Sequence, residues 1–475
     1  MQNPHQLSHA QRALWFLHRL APDSAVYHTG VALTVRSAVD LPALRAAVTA
    51  AADRHDMLRS LFREQDGQAV RIVAAHPPVG LELRELPGRT DQELRAAVRA
   101  ALIEPFALEW QGAFRFVLLR RAAADAVLLM AGHHIATDAT SNWLILRDVL
   151  DGYRRITSGE SAVTAPPSGS YDDYVVREQT LLQSPRGARM EQYWHRVCDG
   201  AEPAEIPTDR PRPAGSSGVG SSYHLDLSGD RVRGLRDLAR SSEVTLFAVL
   251  LGVLQGLLHR YTRQNRFLIG CPTTTRISPD SREVVGNYIN TLVFRADLAP
   301  GATFREAVAA ADRQVKSGLG SLGYPFELLT RTVNRPRTGG GSSLCRITLN
   351  LIGAPSGDPL LRLLLDPADG ATAEVAGLHL APFELPQAEG QLDLAVNVRQ
   401  SADTLAVDFR YDVDLFDPST IERFAGYFTR AIDAALAEPD SAIARLALYG
   451  GKEFSQLLAY GQGVPASAGR SRRRG

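Results

Sequence analysis

The sequence predicts a mixed α/β protein, with helices packed on sheets in layers and the chain divided into two lobes. Helical and strand-like patterns alternate along the whole chain, which is typical of layered α/β folds and not of helix bundles or β-sandwiches. The length of 475 residues exceeds what one small core needs. Two stretches rich in Pro, Gly and Ser, TSGESAVTAPPSGS and IPTDRPRPAGSSGVGSS, interrupt the pattern before the middle of the chain. We therefore expect two lobes joined in this region.

The composition is that of a globular protein without a charge bias. Hydrophobic residues make up 45% of the chain and charged residues 22%, which excludes wholesale disorder. The chain has 52 basic and 52 acidic residues, so no overall field would attract nucleic acid or an anionic membrane. The sequence shows neither a signal-peptide pattern nor an apolar stretch of about 18 residues. We therefore expect no membrane span.

The three cysteines, Cys198, Cys271 and Cys345, are odd in number and far apart. Their positions lack the spacing of metal ligands. This pattern favours a reduced protein in the cytoplasm over a secreted one with a disulfide framework.

The first half contains a helix, two strands and a second helix. LPALRAAVTAAADRHDML, from Leu41 to Leu58, has helical periodicity and Asp40 as a candidate N-cap. AFRFVLLR, from Ala113, and DAVLLMAGHH, from Asp125, are predicted as strands joined by a short turn. Helical periodicity resumes from Ser141, a candidate cap, to Ile156. The two adjacent histidines that end the second strand therefore lie at a strand-to-helix turn.

The lobe boundary is placed between the two Pro/Gly/Ser-rich stretches. Residues 1–175 are assigned to the first lobe and 176–451 to the second. In the second lobe, strands are predicted at FLIGCPTTT, INTLVFRADL, CRITLNLIG and LDLAVNVRQ, and an amphipathic helix from Phe416. Residues 452–475 end in GRSRRRG and are predicted to be a tail or linker, since a few arginines are a weak nucleic-acid signal.

The string HHIATD, from His133 to Asp138, is the candidate centre of the chemistry. Adjacent residues on a strand point to opposite faces, so only one histidine can enter a given pocket unless the strand has already ended. The string lacks the i, i+4 histidine pair of a helical zinc site, and no Cys or carboxylate cluster supplies further ligands, which disfavours a metal. On these residues alone, a hydrogen-bonded structural histidine remains the alternative.

Six strings follow one another along the chain: LSHAQRALWFL from Leu7, RHDMLRSLF from Arg54, HHIATDA from His133, YDDYVV from Tyr171, VGNYINTLVFR from Val285 and GYPFELL from Gly323. They resemble the signature motifs of the condensation domains of nonribosomal peptide synthetases, and the resemblance runs from Leu7 to about Leu448. Each string alone is weak evidence. Their order and spacing over nearly the whole chain make the resemblance specific.

This resemblance implies a fold of two chloramphenicol-acetyltransferase-like lobes that form a V-shaped pseudo-dimer, with the histidine motif at the floor of a tunnel between them. It also implies an acyltransferase. Carrier proteins would present an acyl or peptidyl group as a phosphopantetheine thioester, and an amine or a hydroxyl would attack it to give an amide or an ester. The acceptor could also be a small-molecule amine or alcohol. No cofactor, metal, nucleic acid or membrane is implied as a partner.

Within the motif, the resemblance assigns the catalytic role to His134, either as a base or by orienting the nucleophile. Imidazole suits this role because its pKa of about 6.5 lets it accept a proton near neutral pH. His133 is expected to be a packing and hydrogen-bonding neighbour. Asp138 is expected to be held by an arginine across the lobe interface, or else to cap the next helix. The candidate arginines are Arg59, Arg260, Arg276 and Arg295.

The remaining supporting residues are Ala139, Asn290 and Arg295. Ala139 stands where the family has glycine, and Thr140 where an aromatic residue is common. If that glycine provides a positive φ or room for the thioester, the methyl group of Ala139 would obstruct the site; a shifted backbone would accommodate it. Asn290 and the run 323–327 match family positions on the second lobe's side of the tunnel. Strand-end hydrogen bonding and turn packing are the alternative for both.

Two other functions remain open. A related acyltransferase of the same superfamily would use coenzyme A thioesters or epimerise its substrate. A noncatalytic platform that recruits other enzymes would share the fold. Such platforms typically lose the second histidine, and this chain retains His134, which favours catalysis.

Overall fold

The computed structural model describes residues 3–76, 78–213, 217–333, 344–353, 357–365, 371–385, 392–401, 404–448 and 450. The predicted tail at 452–475 lies outside the described residues. The α-helices are α1 (His9–Leu20), α2 (Leu41–Arg54), α3 (Asp91–Ile103), α4 (Ala139–Thr157), α5 (Tyr171–Leu182), α6 (Pro185–Cys198), α7 (Asp230–Ser241), α8 (Leu246–Thr262), α9 (Phe304–Gly320), α10 (Phe326–Thr332), α11 (Pro359–Leu365) and α12 (Pro418–Ala437).

The strands alternate with these helices, as the layered α/β prediction requires. They are β1 (His5–Gln6), β2 (His28–Val35), β3 (Ser60–Gln65), β4 (Gln68–Val73), β5 (Leu81–Glu85), β6 (Phe114–Ala122), β7 (Asp125–His133), β8 (Glu202–Pro203), β9 (Gly220–Ser228), β10 (Arg266–Thr274), β11 (Ile289–Asp297), β12 (Ile347–Gly353), β13 (Ala373–Val375), β14 (Leu378–Pro382), β15 (Leu394–Gln400) and β16 (Thr404–Asp412).

Helix boundaries follow from their caps, and one predicted cap is wrong. The Asp40 side chain accepts a hydrogen bond from the Ala43 N–H, which confirms the predicted start of α2. The predicted helix continued to Leu58, but α2 ends at Arg54, where the chain becomes extended and a short 3-10 turn follows. Ser141 does not cap α4. Asp138 does, by accepting from the Ser141 N–H, because the carboxylate lies just ahead of the first helical turn.

Two large sheets carry most of the strands. The first has the order β13-β14-β2-β7-β6-β5, and the second has the order β11-β10-β12-β15-β16-β9 with β8 beside β10. A small third sheet has the order β1-β4-β3. The four strands predicted in the second half correspond to β10, β11, β12 and β15. The pair β13 and β14 belongs to the second half by sequence, yet it extends the first sheet through β2.

Two separate clusters of buried side chains accompany the two large sheets. One runs from Leu7 to Val175 and the other from Met190 to Leu448. The first cluster also contains side chains of the second half, namely Val284, Val285, Tyr288, Leu360, Leu363, Leu378 and Leu380. We refer to residues 276–288, which include three of these, as the junction segment. We propose the division at 175/176 as the lobe boundary, with the junction segment and β13–β14 crossing it.

The two lobes repeat one arrangement of strands. In the first lobe, β2 pairs with β7 and β7 with β6 antiparallel, and β6 pairs with β5 parallel. In the second lobe, β9, β16, β15 and β12 pair in the same directions and order. β7 leads into α4, and β16 leads into α12. The lobes are therefore structural repeats, although no repeat is detectable in the sequence.

Within the described part of the chain, no single helix is long and apolar enough to cross a membrane, although α7 and α8 together, bent by 105°, reach that length and apolarity.

Candidate active site

The histidine motif forms the turn between β7 and α4, which we call the motif turn (residues 133–138). His133 is the last residue of β7 and His134 lies just beyond it. The His134 N–H donates to the carbonyl of Tyr27 at 2.8 Å, and the Ala136 N–H donates to the carbonyl of His133 at 2.9 Å. Because the strand has ended at His133, the alternation of strand residues does not separate the two rings, and their different surroundings follow from their own contacts.

The His134 ring is held in one tautomer by a backbone carbonyl. Its Nδ1 lies 3.0 Å from the carbonyl oxygen of Thr137. A carbonyl can only accept a hydrogen bond, so Nδ1 carries the hydrogen and Nε2 carries the lone pair. Burial lowers the pKa of His134, against the opposing effects of the Thr137 carbonyl and Asp138. The ring is therefore neutral at pH 7, and part of the residue remains open to solvent.

His133 is a packing residue. It is buried, and its Nδ1 accepts a hydrogen bond from the Ile135 N–H at 3.1 Å. The rings of His18, His28 and Phe106 approach its ring edge to face, with centroids 5.6, 6.0 and 6.4 Å away. Burial, followed by the neighbouring histidines, holds its pKa well below the usual value. Among the described residues, no group of three or more His, Cys, Asp or Glu side chains is arranged to hold a metal ion.

Asp138 satisfies both structural roles considered for it. One oxygen accepts from the Ser141 N–H at 2.7 Å and caps α4, while the other accepts from the Tyr288 N–H at 3.0 Å. Arg276 lies 3.2 Å from the carboxylate and stacks over the Tyr288 ring at 4.0 Å. The side chains of Asp138 and Arg276 are 1% and 5% exposed. Asp138 is thus the buried anchor between the motif turn and the junction segment.

The other candidate arginines have other surroundings. Arg59 donates to Asp56 and to the carbonyl of Ala74. Arg260 lies near the end of α8. Arg295 lies near the end of β11 and donates to Asp297. The structure therefore brings only Arg276, of the four, to Asp138.

Ala139 is the first residue of α4 and is exposed. It does not have a positive φ, so the backbone here needs no glycine. The next residue, Thr140, is also exposed. The methyl group of Ala139 can therefore alter the space in front of the helix without straining the chain.

Asn290 is buried at the start of β11, and its amide is fully used. Its Nδ2 donates to the carbonyls of Leu322 and Tyr324 at 2.7 and 2.8 Å. Its Oδ1 accepts from the Phe326 N–H and from the Thr291 N–H, both at 2.9 Å. These bonds match the alternative of strand-end hydrogen bonding and turn packing, since they tie β11 to the run that precedes α10.

Residues of the other sequence motifs form hydrogen bonds around the motif turn. The Gln11 side chain donates to the carbonyl of Ile135 at 2.9 Å. The Tyr171 hydroxyl lies 3.1 Å from the Ser8 hydroxyl and donates to the carbonyl of Asn287 at 2.7 Å. Four of the six sequence motifs thus meet around one turn. The motif strings identified Gln11, Ser8 and Tyr171, but no local signal indicated what they contact.

Ser141 and Gly286 close the contact between the motif turn and the junction segment. The Ser141 hydroxyl donates to the Gly286 carbonyl at 2.7 Å and accepts from the Gly286 N–H at 3.0 Å. A side chain at Gly286 would collide with the Tyr171 ring, 2.1 Å from the position of a Cβ atom. Glycine is therefore required for this close approach. No pattern in the sequence indicated such a role for either residue.

Comparison with protein families identifies the family of this chain. The family model described as "Condensation domain" matches residues 1–458. A linear gramicidin synthase protein of Brevibacillus parabrevis is 31% identical over 459 residues, which cover 95% of this chain and 9% of that protein. The phosphinothricin tripeptide synthetase PhsC of Streptomyces viridochromogenes is 29% identical over 464 residues, covering 96% of this chain and 41% of that protein. The chain thus spans less than half the length of either relative.

Solved structures share the fold. The X-domain in complex with OxyB from teicoplanin biosynthesis has a TM-score of 0.83 at 24% identity and covers 95% of this chain and 97% of that one. Holo-AB3403, a four-domain nonribosomal peptide synthetase bound to AMP and glycine, has a TM-score of 0.86 at 23% identity, covering 94% of this chain and 34% of that one. The predicted chloramphenicol-acetyltransferase-like α/β fold is thereby confirmed.

Proposed function

The chain belongs to the condensation domain family, and on that premise we propose that it is an acyltransferase that joins a carrier-bound acyl or peptidyl thioester to an amine. A hydroxyl acceptor would give an ester in the same way. The observation that carries the proposal is the state of His134: its Nδ1–H is engaged by the Thr137 carbonyl, which leaves Nε2 as the acceptor of a neutral ring.

The chemistry needs such an acceptor. When the amine nitrogen attacks the thioester carbonyl carbon, a C–N bond forms and the nitrogen becomes positively charged. This charged nitrogen must shed a proton before the adduct can collapse to a neutral amide. A free α-amino group, with a pKa of about 8, is itself mostly protonated at pH 7. Nε2 of His134 takes the proton of the adduct. The C–S bond then breaks, and the protonated ring returns the proton to the leaving thiolate.

The other motif residues hold His134 in place. The buried ion pair of Asp138 and Arg276 fixes the C-terminal end of the motif turn. His133, at the N-terminal end of the turn, packs among neutral rings. We assign Ala139 to the approach of the acceptor, because it is exposed at the start of α4. We assign Asn290 to the architecture of the second lobe. We assign Arg295 no part in the chemistry.

The partners follow from the same proposal. Donor and acceptor would arrive on the phosphopantetheine arms of carrier proteins, and this group is substrate rather than a resident cofactor. A small-molecule amine or alcohol could replace the second carrier. The three cysteines are buried, and their odd number and wide spacing along the chain support a reducing compartment such as the cytoplasm.

A reconstitution assay tests the proposed activity. An acyl thioester on a carrier protein is offered with a set of amines and alcohols, and the amide or ester is measured by mass spectrometry. We expect the wild type to form product with one or more acceptors and His134→Ala to lose it. His195 is a partly exposed histidine on α6, and His195→Ala is the matched control that should retain activity. Product formation by His134→Ala at the wild-type rate would refute the role of His134.

A recruitment platform is the second candidate function. An X-domain of the same fold was solved in complex with OxyB, so the fold is compatible with binding a partner protein. Under this alternative, the wild type would bind a partner enzyme or carrier protein but would turn over no pair of substrates. Binding measured by calorimetry alongside the reconstitution assay separates the two functions.

A further inference from the structure

Behind His134 lies a chain of polar contacts that the catalytic motif does not include. It runs from Thr29 on β2 through Asn142 on α4 to Thr137 in the motif turn. The Asn142 Nδ2 donates to the Thr29 hydroxyl at 3.0 Å, and the Thr137 hydroxyl donates to the Asn142 Oδ1 at 2.6 Å. Asn142 is 3% exposed and Thr137 is fully buried. The contact between Thr137 and Asn142 is therefore shielded from water, and the contact between Asn142 and Thr29 is partly buried.

The orientation of the Asn142 amide follows from its partners. Nδ2 can only donate and Oδ1 can only accept. The Thr137 hydroxyl also lies 3.3 Å from the carbonyl of Asp138. A single hydroxyl hydrogen cannot serve both acceptors well, and the 2.6 Å contact to Asn142 is the stronger one. Thr137 is thus tied primarily to α4.

Thr137 is the residue whose carbonyl holds the His134 Nδ1–H. The direction of that carbonyl depends on the peptide unit between Thr137 and Asp138. Asp138 fixes one side through Ser141, Tyr288 and Arg276. On the other side, the Thr137 side chain is held by Asn142. Its methyl group packs against β7 and lies 2.9 Å from the position that a Cβ atom would take at Gly132.

We propose that Asn142 and Thr137 are positioning residues that hold His134 in the tautomer with hydrogen on Nδ1, so that Nε2 faces the substrate as an acceptor. The catalytic role in this proposal rests on the proposed function. The tautomer of the His134 ring can be measured without any substrate. If the carbonyl of Thr137 were free to turn, the ring could place its hydrogen on Nε2, and that nitrogen could no longer take a proton.

The primary test is the tautomer of His134, read from imidazole ¹⁵N shifts and couplings in histidine-labelled protein. The His134 signal is assigned by its loss in His134→Gln. In the wild type we expect hydrogen on Nδ1. In Thr137→Val, which removes the hydroxyl at nearly constant volume, we expect a mixture with the Nε2–H form. Thr137→Ser restores the hydroxyl and should restore the wild-type signal. Asn142→Leu should resemble Thr137→Val.

A matched control separates this effect from general loosening of α4. Thr157 ends the same helix, and its hydroxyl also makes side-chain hydrogen bonds, to the carbonyls of Tyr153 and Arg154. Thr157→Val should leave the His134 signal unchanged. Thermal unfolding of each variant shows that the measured protein is folded. Retention of the Nδ1–H form in both folded Thr137→Val and folded Asn142→Leu would overturn the proposal.

A kinetic readout adds the catalytic consequence. If the wild type turns over substrate, Thr137→Val should lose roughly 10- to 100-fold in kcat with KM nearly unchanged, and Thr137→Ser should recover most of it. A loss confined to KM would contradict a role through His134. If the wild type shows no turnover, the proposed function fails, and the tautomer measurement still decides this inference by itself.

Discussion

The two lobes contain the same strand-to-helix turn, and only one of the two turns contains a histidine. In the first lobe, the motif turn joins β7 to α4. In the second lobe, residues 412–417 join β16 to α12, and we call them the second turn. Five residues separate strand and helix in both cases, 134–138 and 413–417. The Leu415 N–H donates to the carbonyl of Asp412 at 3.2 Å, as the Ala136 N–H donates to that of His133.

The difference lies in two positions of the turn. Val413 occupies the place of His134, so the second turn has no base. Asp417 occupies the place of Asp138 and likewise precedes its helix, but it makes no side-chain cap hydrogen bond. Its side chain is 51% exposed and pairs with Arg210, which is 45% exposed. The fold thus contains the turn twice. The turn that contains His134 is the one whose carboxylate, Asp138, is buried between the lobes.

The largest expected effect comes from making the motif turn resemble the second turn. We expect His134→Val to reduce kcat/KM by roughly 10²- to 10⁴-fold, because the proton acceptor is removed. Stability should change by only about 1 kcal/mol, since one hydrogen bond is lost at a partly open position. Product formation by mass spectrometry and urea unfolding provide the two measurements.

The reverse change is the control for this swap. Val413→His, introduced alone or with His134→Val, should add no activity, because the second turn lacks the buried anchor and the surrounding motif residues. Recovery of product in the double variant would show that the turn alone is sufficient for the chemistry.

The next effect concerns the anchor. We expect Arg276→Met to lower the free energy of unfolding by about 3–5 kcal/mol, because Asp138 is left as a buried charge without its cation. The matched change in the second turn, Arg210→Met, should cost at most about 1 kcal/mol, since that ion pair is exposed. Urea unfolding of both variants measures the difference. Equal losses would mean that burial of the first pair has no energetic consequence.

The sequence predicted the motif turn but not what holds it. Alternating and helical patterns located β7 and α4, and the resemblance singled out His134 and Asp138. Serine is a common N-cap residue, which favours Ser141 from sequence, yet the carboxylate of Asp138 takes that role. Arg276 could not be selected among four arginines, since the contact depends on how the junction segment packs. The pairing of β14 with β2 and the contact of Asn142 with Thr137 are likewise nonlocal.

Acid should loosen the motif turn before the second turn. Burial lowers the pKa of His28 from 6.5 to about 4 and that of His133 well below its usual value. Between the folded and unfolded pKa values the unfolded chain binds more protons, so the free energy of unfolding falls as pH decreases below about 6.5. The loss is about 1.4 kcal/mol per pH unit for each such histidine.

Hydrogen exchange at pH 7 and pH 5 locates this effect. Exchange corrected for its intrinsic pH dependence should increase at His133 to Ala136 and stay constant at Val413 to Leu415. In His28→Phe, the pH dependence at the motif turn should be weaker. A uniform increase over both turns would indicate global unfolding instead of a local effect of the buried histidines.

The smallest expected effect tests whether the motif turn depends on close approach of the junction segment. Gly286→Ala should cost about 1–3 kcal/mol in unfolding free energy, because its methyl group would lie 2.1 Å from the Tyr171 ring and force a shift. The shift would also stretch the bonds between Gly286 and Ser141, so activity should fall with stability. Gly80→Ala, where nothing lies within 4 Å of the added atom, is the control and should change neither. A Gly286→Ala variant with wild-type stability and activity would show that residue 286 can move away from Tyr171 without consequence for the motif turn.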